Sequence, residues 1–112
     1  AILEEAEGVT AGLILCGHSH LPRRVALPDG RVILNPGSVG CPGYEDDLPV
    51  PHVMQTGTPA ASYAIAERSD AGAWLTAFRH VPYDTARMIA LAEAAERPEW
   101  ASALKTGWVE QV

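Results

Sequence analysis

Leu13-Ile14-Leu15-Cys16-Gly17-His18-Ser19-His20 carries an apolar run straight into a Gly-His-x-His tetrapeptide. A buried strand ending in this way delivers two imidazoles from one rigid edge, where binding groups are best held. Gly17 has no Cβ, so the backbone is expected to turn sharply there and approach its neighbours closely. If the chain stays extended, His18 and His20 point to one side and converge, because side chains i and i+2 share a face. Neutral imidazole is a ligand for Zn, Mn, Fe and Ni. Two solvated loop histidines fit the same four letters, so the surroundings must decide.

Those surroundings are informative. Arg24-Val25-Ala26-Leu27 and Arg31-Val32-Ile33-Leu34 flank Pro28-Asp29-Gly30. Proline presets φ, aspartate caps the turn and glycine accepts positive φ, so the stretch predicts a hairpin. Its returning strand runs into Asn35-Pro36-Gly37-Ser38-Val39-Gly40, a tight polar loop that can lie beside the histidine loop. Read alone, that loop is equally well a plain turn after a strand.

Together, GHSH, the hairpin and NPGSVG resemble the C-terminal half of the calcineurin-like metallophosphoesterases, closest to the small bacterial YfcE-like phosphodiesterases. Ala61-Ser62-Tyr63-Ala64-Ile65 and Phe78-Arg79-His80-Val81-Pro82-Tyr83-Asp84 are similar to that group's downstream strands, so the likeness runs from about Leu13 to Gly107. The resemblance implies half of a four-layer β-sandwich flanked by helices, within the α/β (layered α+β) class. It also implies two divalent metal ions, Mn foremost with Fe, Zn or Ni open, acting on a phosphate mono- or diester. His18 and His20 would each ligate a different ion. Gly17, Asn35, Gly37 and Ser38 would orient those ligands or line the substrate loop. Paired ions about 3.5–4 Å apart clamp the attacking and leaving oxygens and acidify bound water.

The chain departs from this family upstream. The family's Asp-x-His, Gly-Asp and Gly-Asn-His motifs and its further lone histidine are missing; before GHSH stand only residues 1–16, with Glu4, Glu5 and Glu7 as their charged groups. Those glutamates read as the solvated face of a helix tail over Ile2–Glu7, stopped by Gly8. The expectation is therefore one partial domain over 1–112 that holds one side of a dinuclear site and is inactive alone. It should associate with its missing half or with a second copy. The competing expectation is a non-catalytic binding or assembly module that keeps the scaffold without a complete metal site.

Composition narrows the classes further. With 112 residues, 47% hydrophobic and 20% charged, the chain is of the globular kind. A formal charge of −6 argues against a nucleic-acid partner. No segment approaches the ~18 apolar residues of a membrane span. The N-terminal stretch lacks a basic-then-apolar leader pattern, giving the expectation of a cytoplasmic protein. Cys16 and Cys41 lack CxxC spacing. Cys16, closing an apolar strand, reads as a small buried hydrophobe, and Cys41 as a thiol that can face the site.

Downstream, 41–60 is expected to be an irregular loop, given Pro42, Pro49, Pro51 and Pro59 and the acidic run Glu45-Asp46-Asp47. The carboxylates read as a solvated segment rather than as metal ligands, and His52 as an exposed loop histidine in preference to one lining a substrate pocket. Ser62 to Glu67 and Trp74 to His80 are expected to form paired strands across a turn at Ser69–Gly72. Period two puts Trp74, Thr76 and Phe78 on one face and Leu75 and Ala77 on the other, as in a strand covered on both sides. His80 reads as a surface histidine. A helix capped by Asp84 should run to about Glu96, packing through Met88, Leu91, Ala92 and Ala95. Pro98 opens a second helix anchored by Trp100, Leu104 and Trp108 and stopped by Gly107.

Overall fold

The turn at Pro28-Asp29-Gly30 organises the main sheet of the computed structural model, which describes residues 1–109. Gly30 takes φ 93°, and the Asp29 carboxylate accepts the Arg31 amide at 3.1 Å and the Arg31 guanidinium at 2.9 Å. From this turn β2 (Arg23–Ala26) and β3 (Val32–Asn35) run antiparallel. β1 (Leu13–Leu15) pairs parallel with β3, Leu13 opposite Val32 and Leu15 opposite Leu34, giving the order β1-β3-β2. In a parallel pair both chains leave at the same end. Cys16 and Asn35 therefore open their loops side by side, as the two motifs required. The N-terminal helix α1 (Ile2–Glu5) is shorter than expected, with Gly8 at φ 82° beyond it. Arg31 ties this segment to the sheet, donating to the Ala6 carbonyl at 2.7 Å and the Val9 carbonyl at 3.0 Å.

The expected irregular loop over 41–60 is instead a second hairpin. β4 (Gly43–Asp46) and β5 (His52–Gln55) pair antiparallel, with Tyr44 opposite Met54 and Asp46 opposite His52. Proline density misled because Pro42, Pro49, Pro51 and Pro59 all fall outside the strands, where no ladder donor is needed. A third sheet is the ribbon of β6 (Ala61–Arg68) and β7 (Trp74–Val81), close to the expected strands. It is not covered on both sides: Ile65 is 48% and Leu75 54% exposed.

Helix α2 (Ala86–Ala94) begins after Asp84, whose carboxylate accepts the Ala86 amide at 2.9 Å. Its Met88 and Leu91 are about half exposed, although with Ala92 they face Trp100 and Leu104 as the helical spacing implies. Helix α3 (Pro98–Thr106) has proline in its first turn and stops at Gly107 with φ 81°, as its sequence dictates, and buries Ala101, Ala103 and Leu104. Trp100 and Trp108 stay substantially exposed. The result is a mixed α/β structure of three small sheets and three helices among the described residues. It measures 50 × 31 × 17 Å with a radius of gyration of 16.5 Å, against about 13 Å for a compact chain of this length. Among the described residues eight apolar side chains are buried and eighteen large ones are exposed. Cys16, expected to be buried, is exposed in this thin slab.

The glycines divide sharply. A Cβ on Gly107 would lie 1.9 Å from the Thr58 nitrogen, whereas one on Gly30, at φ 93°, meets nothing within 4 Å. Gly107→Ala should cost more than about 3 kcal/mol or prevent folding, because backbone cannot yield. Gly30→Ala should cost about 1–2 kcal/mol from positive φ alone. Urea unfolding followed by circular dichroism separates them; equal losses would contradict the described packing at Gly107.

Candidate functional site

The histidine loop is not the extended edge that its sequence suggests. His18 has φ 72° and His20 φ 61°, and the Ser19 amide donates to the Gly17 carbonyl at 2.9 Å. An i to i+2 bond closed across a central residue of positive φ is the rarer, strained form of γ-turn. His18 stands at its apex. Gly17 does not supply the turn: it is not among the residues of positive φ, and a Cβ there meets nothing within 4 Å. Two non-glycine residues in the left-handed region persist only where their surroundings hold them.

Asn35 is the principal holder. Only 5% exposed, its amide nitrogen donates to the Gly17 carbonyl at 3.0 Å and the Ser19 hydroxyl at 3.1 Å. Its carbonyl oxygen accepts the Gly37 amide at 3.0 Å. One buried side chain thus bolts the GHSH loop to the NPGS loop. Gly37, at φ 86°, has no room for a Cβ, which would sit 2.6 Å from the Ser62 hydroxyl and 2.9 Å from Pro22. The Ser38 hydroxyl accepts the Cys41 amide at 3.0 Å, and its carbonyl accepts the Ser62 amide at 2.9 Å. The Ser62 hydroxyl donates to the Pro36 carbonyl at 3.0 Å, so β6 braces the loop from behind.

This bracing fixes the chemistry of His20. Its Nδ1 lies 2.7 Å from the Cys41 carbonyl. A carbonyl only accepts, so in the neutral ring the proton sits on Nδ1 and Nε2 presents its lone pair, as a ligating histidine requires. Tyr44 packs on both histidines, its ring centre 4.7 Å from that of His20 and 6.2 Å from that of His18, and its hydroxyl donates to the His18 carbonyl. Partial burial, with Asp46 and Cys41 nearby, pushes the Tyr44 phenol above its ordinary pKa, so it remains a donor at neutral pH.

His52 was expected to be exposed in a loop. The hairpin places it on β5 with its ring centre 5.5 Å from His18 and 6.0 Å from Tyr44. Only the β4–β5 register brings it there, and proline density had hidden that register. His80 stays exposed on β7, opposite Ser62.

His18, His20, Cys41 and Tyr44 form one wall of an open cavity of about 780 Å³. Glu45, Asp46, Asp47 and Glu99 line its remainder with Arg97 and Trp100. The acidic run read as merely solvated therefore gives the histidine cavity a negative rim. Arg97 partly balances it while paired to Glu99 at 3.3 Å. Such a rim attracts cations and opposes a bare polyanion. Among the described residues no group of three or more His, Cys, Asp or Glu is placed to hold a metal ion. His18 and His20 fit the donor chemistry of a metal, yet supply only part of a coordination shell.

No family model and no curated protein matches the chain.

Two outcomes follow from this geometry. Asn35→Ala removes three hydrogen bonds from a buried position and should cost about 2–3 kcal/mol. The histidine ring resonances should shift with it in the NMR spectrum, whereas unmoved rings would refute the clamp. Burial pushes the Cys41 thiol above its usual pKa, with the Gly43 carbonyl as its hydrogen-bond acceptor. A raised pKa leaves less thiolate at neutral pH. Iodoacetamide at pH 7.5 should label exposed Cys16 first and reach Cys41 only as pH rises, as read by peptide mass spectrometry. Preferential labelling of Cys41 would contradict its burial.

Proposed function

We propose that the chain carries one side of a metal-dependent phosphoesterase site, for phosphate mono- or diesters of small molecules. One observation carries this reading: two histidines held in strained backbone share a cavity, and His20 has its Nε2 lone pair bared by the Cys41 carbonyl. Strain of this sort at a polar cavity is a mark of functional sites. The resemblance of GHSH, the hairpin and NPGSVG supplies the reaction class. In that reading the sheets belong to half of a β-sandwich flanked by helices.

His18 and His20 would hold two divalent ions, Mn first among them, which when bound supply Lewis-acid polarisation of a phosphoryl oxygen and an acidified water. Asn35 keeps the two loops in register, and the Cys41 carbonyl keeps the proton off His20 Nε2. The negative rim speaks against a nucleic-acid substrate. Two free cysteines suit a reducing compartment, which supports a cytoplasmic setting. No helix of the described residues is long and apolar enough to cross a membrane.

A non-catalytic binding module is the second reading, favoured by the lack of any three-residue metal group among the described residues. Metal retention separates the two. Mixed with a chain carrying the upstream motifs, the protein should keep Mn(II) through gel filtration, and His20→Ala should lose most of it. It should not hydrolyse an aryl phosphodiester by itself. No metal retained by the mixture would sink the phosphoesterase reading in favour of the module; clear turnover by the chain alone would sink the half-site part of it.

A partner is part of the same proposal. β1 is an edge of its sheet, with Leu15 67% exposed and Cys16 exposed beside it. Unpaired edges beside apolar surface favour association. Sedimentation should show self-association rising across the micromolar range, or capture by a chain carrying the upstream motifs. A stable monomer that captures nothing counts against it.

A further inference from the structure

We propose that His52 is a third imidazole of this site and shares one divalent transition-metal ion with His18. The proposal rests on the metal-binding reading of His18 and extends it to the β4–β5 hairpin, to which the resemblance assigns no ligand.

The Nδ1 of His52 lies 2.7 Å from the Val50 carbonyl. This repeats the arrangement at His20, where the Cys41 carbonyl stands at the same distance. In both rings a carbonyl acceptor fixes the proton on Nδ1 and turns Nε2 into a lone-pair donor. The Nε2 of His52 is buried, and it is the one buried side-chain nitrogen or oxygen among the described residues that has no hydrogen-bond partner. A buried polar atom without a partner is costly, so this nitrogen calls for a water, an ion or a ligand to complete it.

The neighbours leave few ways to satisfy it. Tyr44 has one hydroxyl proton, and that proton goes to the His18 carbonyl. The other aromatic neighbour is His18, with ring centres 5.5 Å apart and planes tilted by 51°. That tilt rules out face-to-face stacking. Metal–nitrogen bonds of about 2.0–2.1 Å put the ring centres of two imidazoles on one ion roughly 5–5.5 Å apart at tetrahedral to trigonal angles. The observed separation of 5.5 Å falls within that range. Remaining coordination positions are left to water, substrate oxygens or a partner's residues, consistent with the absence of a third protein group nearby.

The test is a Zn(II) titration of the full chain followed by long-range proton–nitrogen NMR of the imidazoles, with affinity from calorimetry. The ring nitrogens of His18 and His52 should move together at one stoichiometry. His52→Gln, which keeps bulk and polarity, should weaken binding at least tenfold while circular dichroism and melting remain native. His52→Ala should do the same. If His18 responds while His52 Nε2 stays still and His52→Gln binds as tightly as the wild type, His52 is no ligand, although the reading of His18 survives. A response at His52 alone overturns the shared ion. If neither ring responds, both readings fall together.

Discussion

Everything at the candidate site depends on the parallel pairing of β1 with β3. Were these short strands antiparallel, Cys16 and Asn35 would leave opposite ends of the sheet, and the two polar loops would not meet. Parallel register, Leu15 opposite Leu34, brings them together. Asn35 then converts proximity into fixed geometry through its three hydrogen bonds. The strained turn at His18 persists because a buried amide opposes its relaxation. The fold thus spends its most buried polar side chain on holding a loop rather than on filling a core.

Much of this was legible in the sequence. The Pro28-Asp29-Gly30 hairpin, the adjacency of the two loops, the β6–β7 ribbon and the Pro98-to-Gly107 helix follow from turn chemistry, period-two patterning and capping. Those are local rules, and they hold where local signals agree. The conformation of Gly17-His18-Ser19-His20 was not legible. A glycine invited the turn to itself, but the tertiary clamp from Asn35 moved the positive φ onto the histidines. The hairpin of β4 and β5 was hidden for a related reason: its prolines border the strands, and proline counts do not distinguish bordering from interrupting. With the hairpin went Tyr44, His52 and the acidic rim, whose nearness to His18 is a matter of cross-strand register and not of spacing along the chain.

Exposure was the other blind spot. Met88, Leu91, Ile65, Leu75 and Cys16 have the residue types and periods of packed positions and yet stand open. Patterning tells which face of an element wants cover; it says nothing of whether the chain carries the cover. Here the described residues leave several such faces bare, which is the physical content of the half-site proposal.

The 17 Å thickness of the slab has an electrostatic meaning of its own. At that depth water is close to every charge, so the carboxylates around the histidine cavity act through a strongly screening medium. Their mutual repulsion is cheap to tolerate, and their pull on a cation is correspondingly modest. A layer laid over the cavity would expel that water and raise the effective strength of each charge without moving a residue. The field at the histidines therefore depends on how much water stands over these carboxylates as well as on where they sit.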